Sequence, residues 1–432
     1  MRLTQFLGAL SSRNYRLFFS GQVVSLIGTW MTQTASMWLV YHLSSSAFML
    51  GLIGFANLAP IFLLAPMAGV LVDRVSRHRL LIATQVAAML QSAALAAFAF
   101  TDTITVNHLF WLTLVQGFIN AVDMPTRQAL VVEFVERREH LGSAIALNSA
   151  LFNLARLVGP ALGGFVIAAT NAGVCYAIDT VSFVAVILAL LAMRLKPRAP
   201  RQTRKHPWHD LREGFQYTVR HTPIRALIIL VGAISAVGLS GSVLTPVFAR
   251  DVFHGDARTL GWLMAASGFG ALTGAMFLAT RKGVRGLGKV IIFGGVVMGI
   301  GLIGFAHFQW LPVALLFLGL TGTGGVLLMA SSNTLVQTLV EDDKRGRVMS
   351  FFAMAFTGTM PFGNLMMGAL ADRLGANVAL TVGGACCLLV VLVFYRHIPR
   401  LRAAAAPTLA RLEEAAAEPA VYPTNNELHA DD

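Results

Sequence analysis

The chain of 432 residues is 56% hydrophobic and only 12% charged, against roughly 25% charged residues in an ordinary soluble domain. A soluble core cannot absorb this much apolar sequence, so we predict a polytopic membrane protein. The formal net charge of +12 is a reason to consider a nucleic-acid partner, and the positions of the charges decide that question.

Twelve apolar stretches are each long enough to cross a bilayer as a helix, which requires about 20 residues. They are residues 17–43, 48–72, 80–100, 108–131, 143–168, 174–194, 225–249, 259–280, 288–307, 311–338, 348–371 and 378–395. With the N-terminus inside, every Lys and Arg lies on the cytoplasmic side except Arg156, Arg250, Arg258 and Arg373. The positive-inside rule therefore predicts that both termini are cytoplasmic. The basicity reflects topology, and we expect no nucleic-acid partner.

The three cysteines, Cys175, Cys386 and Cys387, lie inside apolar spans and have neither metal-ligand spacing nor the pattern of a disulfide framework. We expect no metal and no cofactor. Residues 1–16 lack the apolar core and cleavage site of a signal peptide, so the first span is expected to direct insertion.

The first span carries a polar stripe. Its members are Gln22, Ser25, Thr29, Gln33 and Ser36, at offsets that place them on one helical face. Polar groups facing lipid are costly, so this face is expected to look into the bundle or a wet cavity. The alternative is that these side chains only hold helix pairs together, as Ser and Gln do in membrane cores.

A dense polar loop joins the second and third spans, and we single out Gly69, Asp73, Arg74, Arg77 and Arg79 as a candidate gate. The glycine allows a neighbouring helix to approach closely. The acid lies at a helix end beside two arginines, where ion pairs can lock or release a contact between the two halves. The alternative is a basic turn that only sets topology.

The fourth span has a stripe of Gln116, Asn120, Asp123 and Arg127, which ends in an acid and a base four residues apart. The pair can partly neutralise itself, which lowers the cost of burial. Two interpretations stay open, a structural ion pair and a carboxylate that takes up and releases a proton during transport.

The fifth span contains Asn153 and Arg156, and the arginine lies roughly 20 Å into the helix at ~1.5 Å per residue. An arginine at this depth requires a carboxylate, helix-end carbonyls, water or an anionic substrate as its partner. The intramembrane acids are Asp123 and Asp179. Farther along the same span, Gly159, Pro160, Gly163 and Gly164 form a run that is also typical of a kinked, small-residue packing face.

A basic, proline-containing segment divides the chain, and its second part, Trp208–Arg220, has the pattern of an amphipathic surface helix. A weak repeat relates residues 130–136 to residues 335–341. The predicted domains are an N-terminal six-helix bundle (1–195), a cytoplasmic linker (196–224), a C-terminal six-helix bundle (225–398) and a disordered cytoplasmic tail (399–432).

The loop pattern G-x-x-x-D-R-x-x-R-x-R over residues 69–79 resembles the signature of the major facilitator superfamily, with Ser76 and His78 in place of the usual Gly and basic residue. The run Gly159-Pro160-x-x-Gly163-Gly164 resembles the superfamily's antiporter motif, with Ala155 in place of its first Gly. Thr113 occupies the place of the family's proton-relay arginine, so the coupling ion stays open.

Further segments look like one bacterial branch of the superfamily that includes the enterobactin exporter and, more distantly, the lysophospholipid transporter. They are residues 14–18, 28–31, 38–41, 125–129, 148–156 and 210–225. The resemblance implies an all-α membrane protein with twelve transmembrane helices in two pseudo-symmetric six-helix bundles and a site between them.

The resemblance further implies a monomeric exporter in the bacterial cytoplasmic (inner) membrane that moves a siderophore, drug or related metabolite by alternating access, in exchange for protons. A lysophospholipid transporter or flippase and a transporter-like solute sensor without flux are the alternatives. We expect no enzyme, because no metalloprotease, Cys-x-x-Cys or Gly-x-Ser-x-Gly pattern is present, and no nucleotide-binding Gly-x-x-x-x-Gly-Lys-Ser/Thr loop occurs.

Overall fold

The computed structural model describes residues 8–135, 137–193, 207–281 and 283–417, which are helical with short connections and contain no β-strand. The helices are α1 (Arg13–Ser44), α2 (Ala47–Arg74), α3 (Arg77–Phe100), α4 (Val106–Phe134), α5 (Leu141–Ala169), α6 (Ala172–Leu191), α7 (Pro207–Arg220), α8 (Thr222–Val237), α9 (Ala257–Thr280), α10 (Leu287–His307), α11 (Leu311–Leu339), α12 (Arg345–Leu374) and α13 (Ala376–Ala417). All except α7 correspond to predicted spans.

Nine helical segments within the described ranges are long and apolar enough to cross a membrane. The other three predicted spans correspond to α1, α4 and α12, which are as long, at 32, 29 and 30 residues, but contain more polar residues. Extra polarity in a spanning helix is expected where the helix lines a wet interior. The prediction of an all-α membrane protein with twelve spanning helices is confirmed.

The seventh predicted span, 225–249, differs from a regular helix. After α8 the chain continues through a 3₁₀ segment (Leu239–Leu244), a single α-turn (Thr245–Val247) and a π-helical turn (Phe248–Val252). Pro246 lacks an N–H group and its ring clashes with a helical carbonyl four residues earlier, so regular hydrogen bonding cannot continue through it.

The helices pack as two groups of six. In the first group α1 packs on α5 and α6, α2 on α4, and α3 on α4 and α6. In the second, α8 packs on α12 and α13, α9 on α11, and α10 on α11 and α13. The two groups, called the halves below, meet along two helix pairs, α2 with α12 and α5 with α9.

Glycines permit both contacts between the halves. A Cβ on Gly164 of α5 would lie 3.0 Å from the Cα of Gly261 on α9, and a Cβ on Gly368 of α12 would lie 2.9 Å from the Cα of Gly51 on α2. Distances this short are available only to residues without a side chain, so the backbones themselves form the contact.

The bundle has two distinguishable ends. The basic end carries the start of α1, the α2–α3 loop and the α11–α12 loop around Lys344, and the opposite end carries the α1–α2 loop at Ser45. At the basic end α7 packs on α12, where Nη1 of Arg347 lies 2.7 Å from Oε2 of Glu213 and the ring centres of Phe215 and Phe351 are 6.0 Å apart.

The C-terminal region requires one correction. We predicted disorder from residue 399 because the segment has no apolar period, but α13 runs as a helix to Ala417. Alanine and glutamate have high intrinsic helix propensity, which favours continuing a helix that the membrane span has already nucleated. Residues 418–432 lie outside the described residues, as do residues 194–206 of the predicted linker.

Candidate functional site

The predicted polar face of α1 contacts α4 at Gln22 and α6 at Thr29 and Ser36. Gln22 is buried, and its Oε1 accepts a hydrogen bond of 2.7 Å from Nη1 of Arg127. Thr29 and Gln33 lie 7 and 11 residues farther along the same face and are exposed although they are in the middle of a spanning helix. On α4, Gln116 donates to Asn120 at 3.0 Å, and both side chains are partly exposed.

Asp123 lies in a cluster that satisfies both of its carboxylate oxygens. Nη2 of Arg127 donates to Oδ2 at 2.5 Å, and Thr84 and Gln85 of α3 donate to Oδ1 at 2.8 and 2.7 Å. The carboxylate is buried, with 4% of its residue surface exposed. The predicted pair within α4 is therefore present, and it is extended by Gln22 of α1.

Arg156 lies at the middle of α5, 15 residues from its start and 13 from its end. Its backbone carbonyl packs on α9, where a Cβ at Gly268 would lie 2.9 Å from the oxygen. Its side chain is partly exposed, and across the described ranges no ion pair or hydrogen bond involves the guanidinium. Neither Asp123 nor Asp179, the two acids proposed from sequence as its partners, contacts it in the described structure.

Asp179 of α6 is almost fully buried, with 3% exposure, and is surrounded by hydroxyl groups. Ser92 of α3 donates to its Oδ2 at 3.2 Å, and Ser182 and Thr29 donate to its Oδ1 at 3.4 and 3.5 Å. The close approach of α1 depends on Gly28, since a Cβ there would lie 2.9 Å from Oδ1.

Asn153, the remaining predicted cavity residue, is partly exposed, and its Nδ2 donates to the carbonyl of Ser149 one turn earlier at 2.8 Å. The local bond occupies one of its two N–H donors. Its other polar groups remain available on the same helix as Arg156.

The antiporter-like run of α5 is a packing face on two sides. A Cβ on Gly163 would lie 3.1 Å from the Cα of Met31 on α1, and Gly159 contacts the same helix at Trp30. The carbonyl of Pro160 and the backbone of Gly164 contact α9 instead. The run therefore places α5 between α1 of its own half and α9 of the other half.

The candidate gate lies at the basic end. Gly69 has open space around it, since a Cβ there would meet no atom within 4 Å. Arg77 pairs with Glu133 at the end of α4 at 2.8 Å, which is a contact within the first half. Arg74 and Arg79 are exposed. Asp73 lies in the last turn of α2, and its side chain is outside the described part of the structure.

The opposite end contains polar contacts between the halves that we did not predict, and we call these six residues the latch: Tyr41, Ser45, Ser46, Arg250, Asp251 and Asp372. The Tyr41 hydroxyl donates to Asp251, and Nη1 of Arg250 donates to the Tyr41 carbonyl and the Ser45 hydroxyl, each at 3.1 Å. Asp372 accepts from the Ser46 hydroxyl at 3.0 Å.

Sequence reasoning also missed the contribution of α3. Thr84, Gln85 and Ser92 bond to the two buried acids, although the span 80–100 contains no charge and none of its residues is among the predicted site residues. The signal was present, because Gln91 and Ser92 follow Thr84 and Gln85 by seven residues each and so share one helical face. For the latch, Arg250 was noted only as an exception to the charge distribution.

The chain matches the sequence model of the family described as "Transmembrane secretion effector" over residues 4–425. It is 25% identical over 382 residues to the staphyloferrin A transporter of Staphylococcus aureus, covering 88% of this chain and 95% of that protein. It is 27% identical over 387 residues to the multidrug efflux pump Tap of Mycolicibacterium fortuitum, covering 87% and 93%.

Among solved structures, a bacterial homologue of the human lysosomal transporter Spinster, in an inward-facing and unoccupied conformation, superposes with a TM-score of 0.67 at 13% identity, covering 95% of this chain and 98% of that one. At this identity the likeness establishes the fold alone. The family match and the relatives show that the chain is a membrane transporter of the major facilitator superfamily, not an enzyme. Within that superfamily the chain belongs to the transmembrane secretion effector family.

Proposed function

We propose that this protein is a secondary active exporter that moves a small molecule bearing an anionic group out of the cell in exchange for protons. The proposal rests on one observation above all. Arg156 places a guanidinium halfway along a spanning helix, and the described residues offer it neither an acid nor a hydrogen-bond acceptor.

A charge at this depth is expensive unless it is paired. Since Asp123 is occupied by Arg127 and Asp179 by hydroxyl groups, a carboxylate, catecholate or phosphate of the cargo is the partner that the arginine lacks. The family and its relatives support export, because the named relatives include a staphyloferrin A transporter and a multidrug efflux pump.

The proposed cycle is alternating access. The first half (1–195) and the second half (225–398) rock about the α2–α12 and α5–α9 contacts, and the space between them opens at one end and then at the other. The charge distribution supports a cytoplasmic location for the basic end and for both termini, in the inner membrane of a bacterium. We propose that one chain forms the complete transport unit.

The test is uptake into inverted membrane vesicles under an imposed pH gradient. The panel contains an anionic catecholate siderophore, a cationic dye and a lysophospholipid, each measured with wild type, Arg156→Gln and Arg156→Lys. Unpairing a buried charge costs about 2 kcal/mol or more, so Arg156→Gln is expected to weaken apparent affinity for the siderophore roughly 30-fold. The lysine variant keeps the charge and is expected to recover part of that loss.

Arg212→Gln is the matched control, because it removes an exposed arginine of α7 instead. Siderophore uptake that is equal in wild type and Arg156→Gln would refute an anionic cargo held by Arg156. Uptake of only the lysophospholipid would identify a lipid transporter. Binding of a panel member without gradient-driven flux would identify a sensor.

A further inference from the structure

The two buried acids of the first half have different surroundings. Asp123 is paired with Arg127, an arginine four residues along the same helix, and an arginine keeps its charge under all physiological conditions. Asp179 has hydroxyl partners on three helices, Thr29, Ser92 and Ser182, and no cationic partner in the described residues. Both carboxyl groups are nearly fully buried.

A hydroxyl group both donates and accepts hydrogen bonds, whereas a guanidinium only donates. Each of the three hydroxyls, which we call the cage, also lies within hydrogen-bond distance of a backbone carbonyl, at 2.7–3.1 Å. A hydroxyl that donates to its carbonyl can accept a hydrogen bond from protonated Asp179, and after rotation it can donate to the ionised acid instead. The cage can therefore bond to the carboxyl in both protonation states without moving a helix. The Asp123 cluster differs in that one of its partners is a cation, Arg127, which would lose its counter-ion if the carboxylate were neutral.

Few other ionisable groups face Asp179. Along α1 the stretch between Arg16 and His42 has no charged residue, and along α3 the stretch between Arg79 and Phe100 has none. On α6 itself, Cys175 and Tyr176 lie one turn away and are fully buried. Arg156, on α5, has no described contact with the acid. The local environment thus lacks a fixed charge that would hold Asp179 in one state.

Thr29 connects this buried acid to the space between the helices. Its hydroxyl is 3.5 Å from Oδ1 of Asp179, yet the residue is exposed on the α1 face that also carries Gln33. A proton from water in that space can therefore reach the carboxyl through one hydroxyl. The O–H bond of the threonine breaks as the O–H bond to Asp179 forms, and the threonine takes a proton from a hydronium ion on its exposed side, which becomes water.

We propose that Asp179 is the proton-binding site of this transporter and that Asp123 is a structural partner of Arg127. This assignment rests on the proposed proton exchange for its biological role, but the binding of a proton at Asp179 does not depend on any cargo. The carboxyl is loaded from one side of the membrane and unloaded to the other through Thr29 as the halves rock.

The test is infrared spectroscopy of the purified, membrane-reconstituted protein as the pH is raised from acidic to alkaline. The spectrum of wild type minus Asp179→Asn is expected to show the C=O stretch of one protonated carboxyl, which disappears as the pH rises. The spectrum of wild type minus Asp123→Asn is expected to lack such a titrating band. Surface carboxyl groups are common to all samples and cancel in these differences.

Asp179→Glu keeps a carboxyl in the cage and is expected to restore a titrating band, which separates loss of the group from misfolding. A parallel vesicle assay is expected to show that Asp179→Asn loses gradient-driven accumulation but retains exchange of labelled for unlabelled cargo without a gradient. A titrating band that survives Asp179→Asn and disappears in Asp123→Asn would overturn the assignment. Failure of every transport arm with the Asp179 band intact would refute the exporter and leave the proton site standing.

Discussion

The two ends of the bundle differ in where their polar groups are used. At the opposite end, latch residues of the first half bond to latch residues of the second, as in the contact of Tyr41 with Asp251. At the basic end, the described ion pairs join elements on the same side of the divide, Arg77 with Glu133 and Arg347 with Glu213.

The hydrophobic contacts follow the same division. Glycines of α12 contact α2 at two levels, Gly368 near the opposite end and Gly358 against the ring of Phe62. Farther toward the basic end, Leu63 and Met67 of α2 are 68% and 67% exposed. The glycine contacts described between α2 and α12 therefore lie toward the opposite end and in the middle of α2. At the opposite end the polar groups of the two halves bond to each other, whereas the ion pairs described at the basic end do not join the two halves.

The largest expected effect on the contacts between the halves comes from filling the α5–α9 contact. In Gly261→Leu, the new side chain would meet the carbonyl of Pro160, 2.7 Å from the Cβ position. Overpacking of this kind typically costs about 1–3 kcal/mol. We expect a lower thermal unfolding midpoint and a wider opposite end, measured by electron spin resonance distances between labels at Asp102 and Trp310. Gly288→Leu at the start of α10, where a Cβ meets no atom within 4 Å, is the control and should change neither quantity.

A smaller effect is expected from weakening the latch. The double variant Tyr41→Phe, Asp372→Asn removes the hydroxyl that bonds Asp251 and weakens the contact with Ser46. The loss of two such hydrogen bonds is worth about 2 kcal/mol together, which shifts the population toward states open at the opposite end. The same label pair should report a longer distance with a near-normal unfolding midpoint. An unchanged distance distribution would show that the glycine contacts alone keep this end closed.

The smallest effect on stability is expected from Gly69→Leu, which tests whether α2 approaches α12 at the basic end. The added side chain enters open space here, so the unfolding midpoint and the label distances should match wild type. If the basic end closes during transport by bringing α2 against α12, the variant should nevertheless lose gradient-driven uptake in vesicles. Full activity in Gly69→Leu would show that α2 does not approach its neighbour at this position.

The sequence predicted the class of fold well because span length and charge placement are local properties. The predicted third span began at Leu80 and α3 begins at Arg77, and the pairing of Asp123 with Arg127 follows from their spacing on one helix. The spacing of the polar residues in α3 was enough to predict that one face of this helix bonds to buried polar groups.

Other features depend on neighbours that are distant in the chain. Tyr41 and Asp251 are 210 residues apart and meet only because the halves close on each other. The sequence also could not show that Arg156 lacks a partner. Asp123 and Asp179 were both candidate partners, and only the packing of α3 and α6 shows that they bond to other groups.

The lack of a partner for Arg156 in the described residues affects the free-energy cost of closing the empty carrier. An empty carrier that closed around this guanidinium would have to strip it of water with nothing to replace the lost solvation, and that penalty disfavours idle turnover. In the proposed cycle, arrival of an anionic group would remove the penalty, so closing would be fastest when the carrier is loaded. A single arginine would in this way slow the movement of ions through the cycle when no cargo is bound.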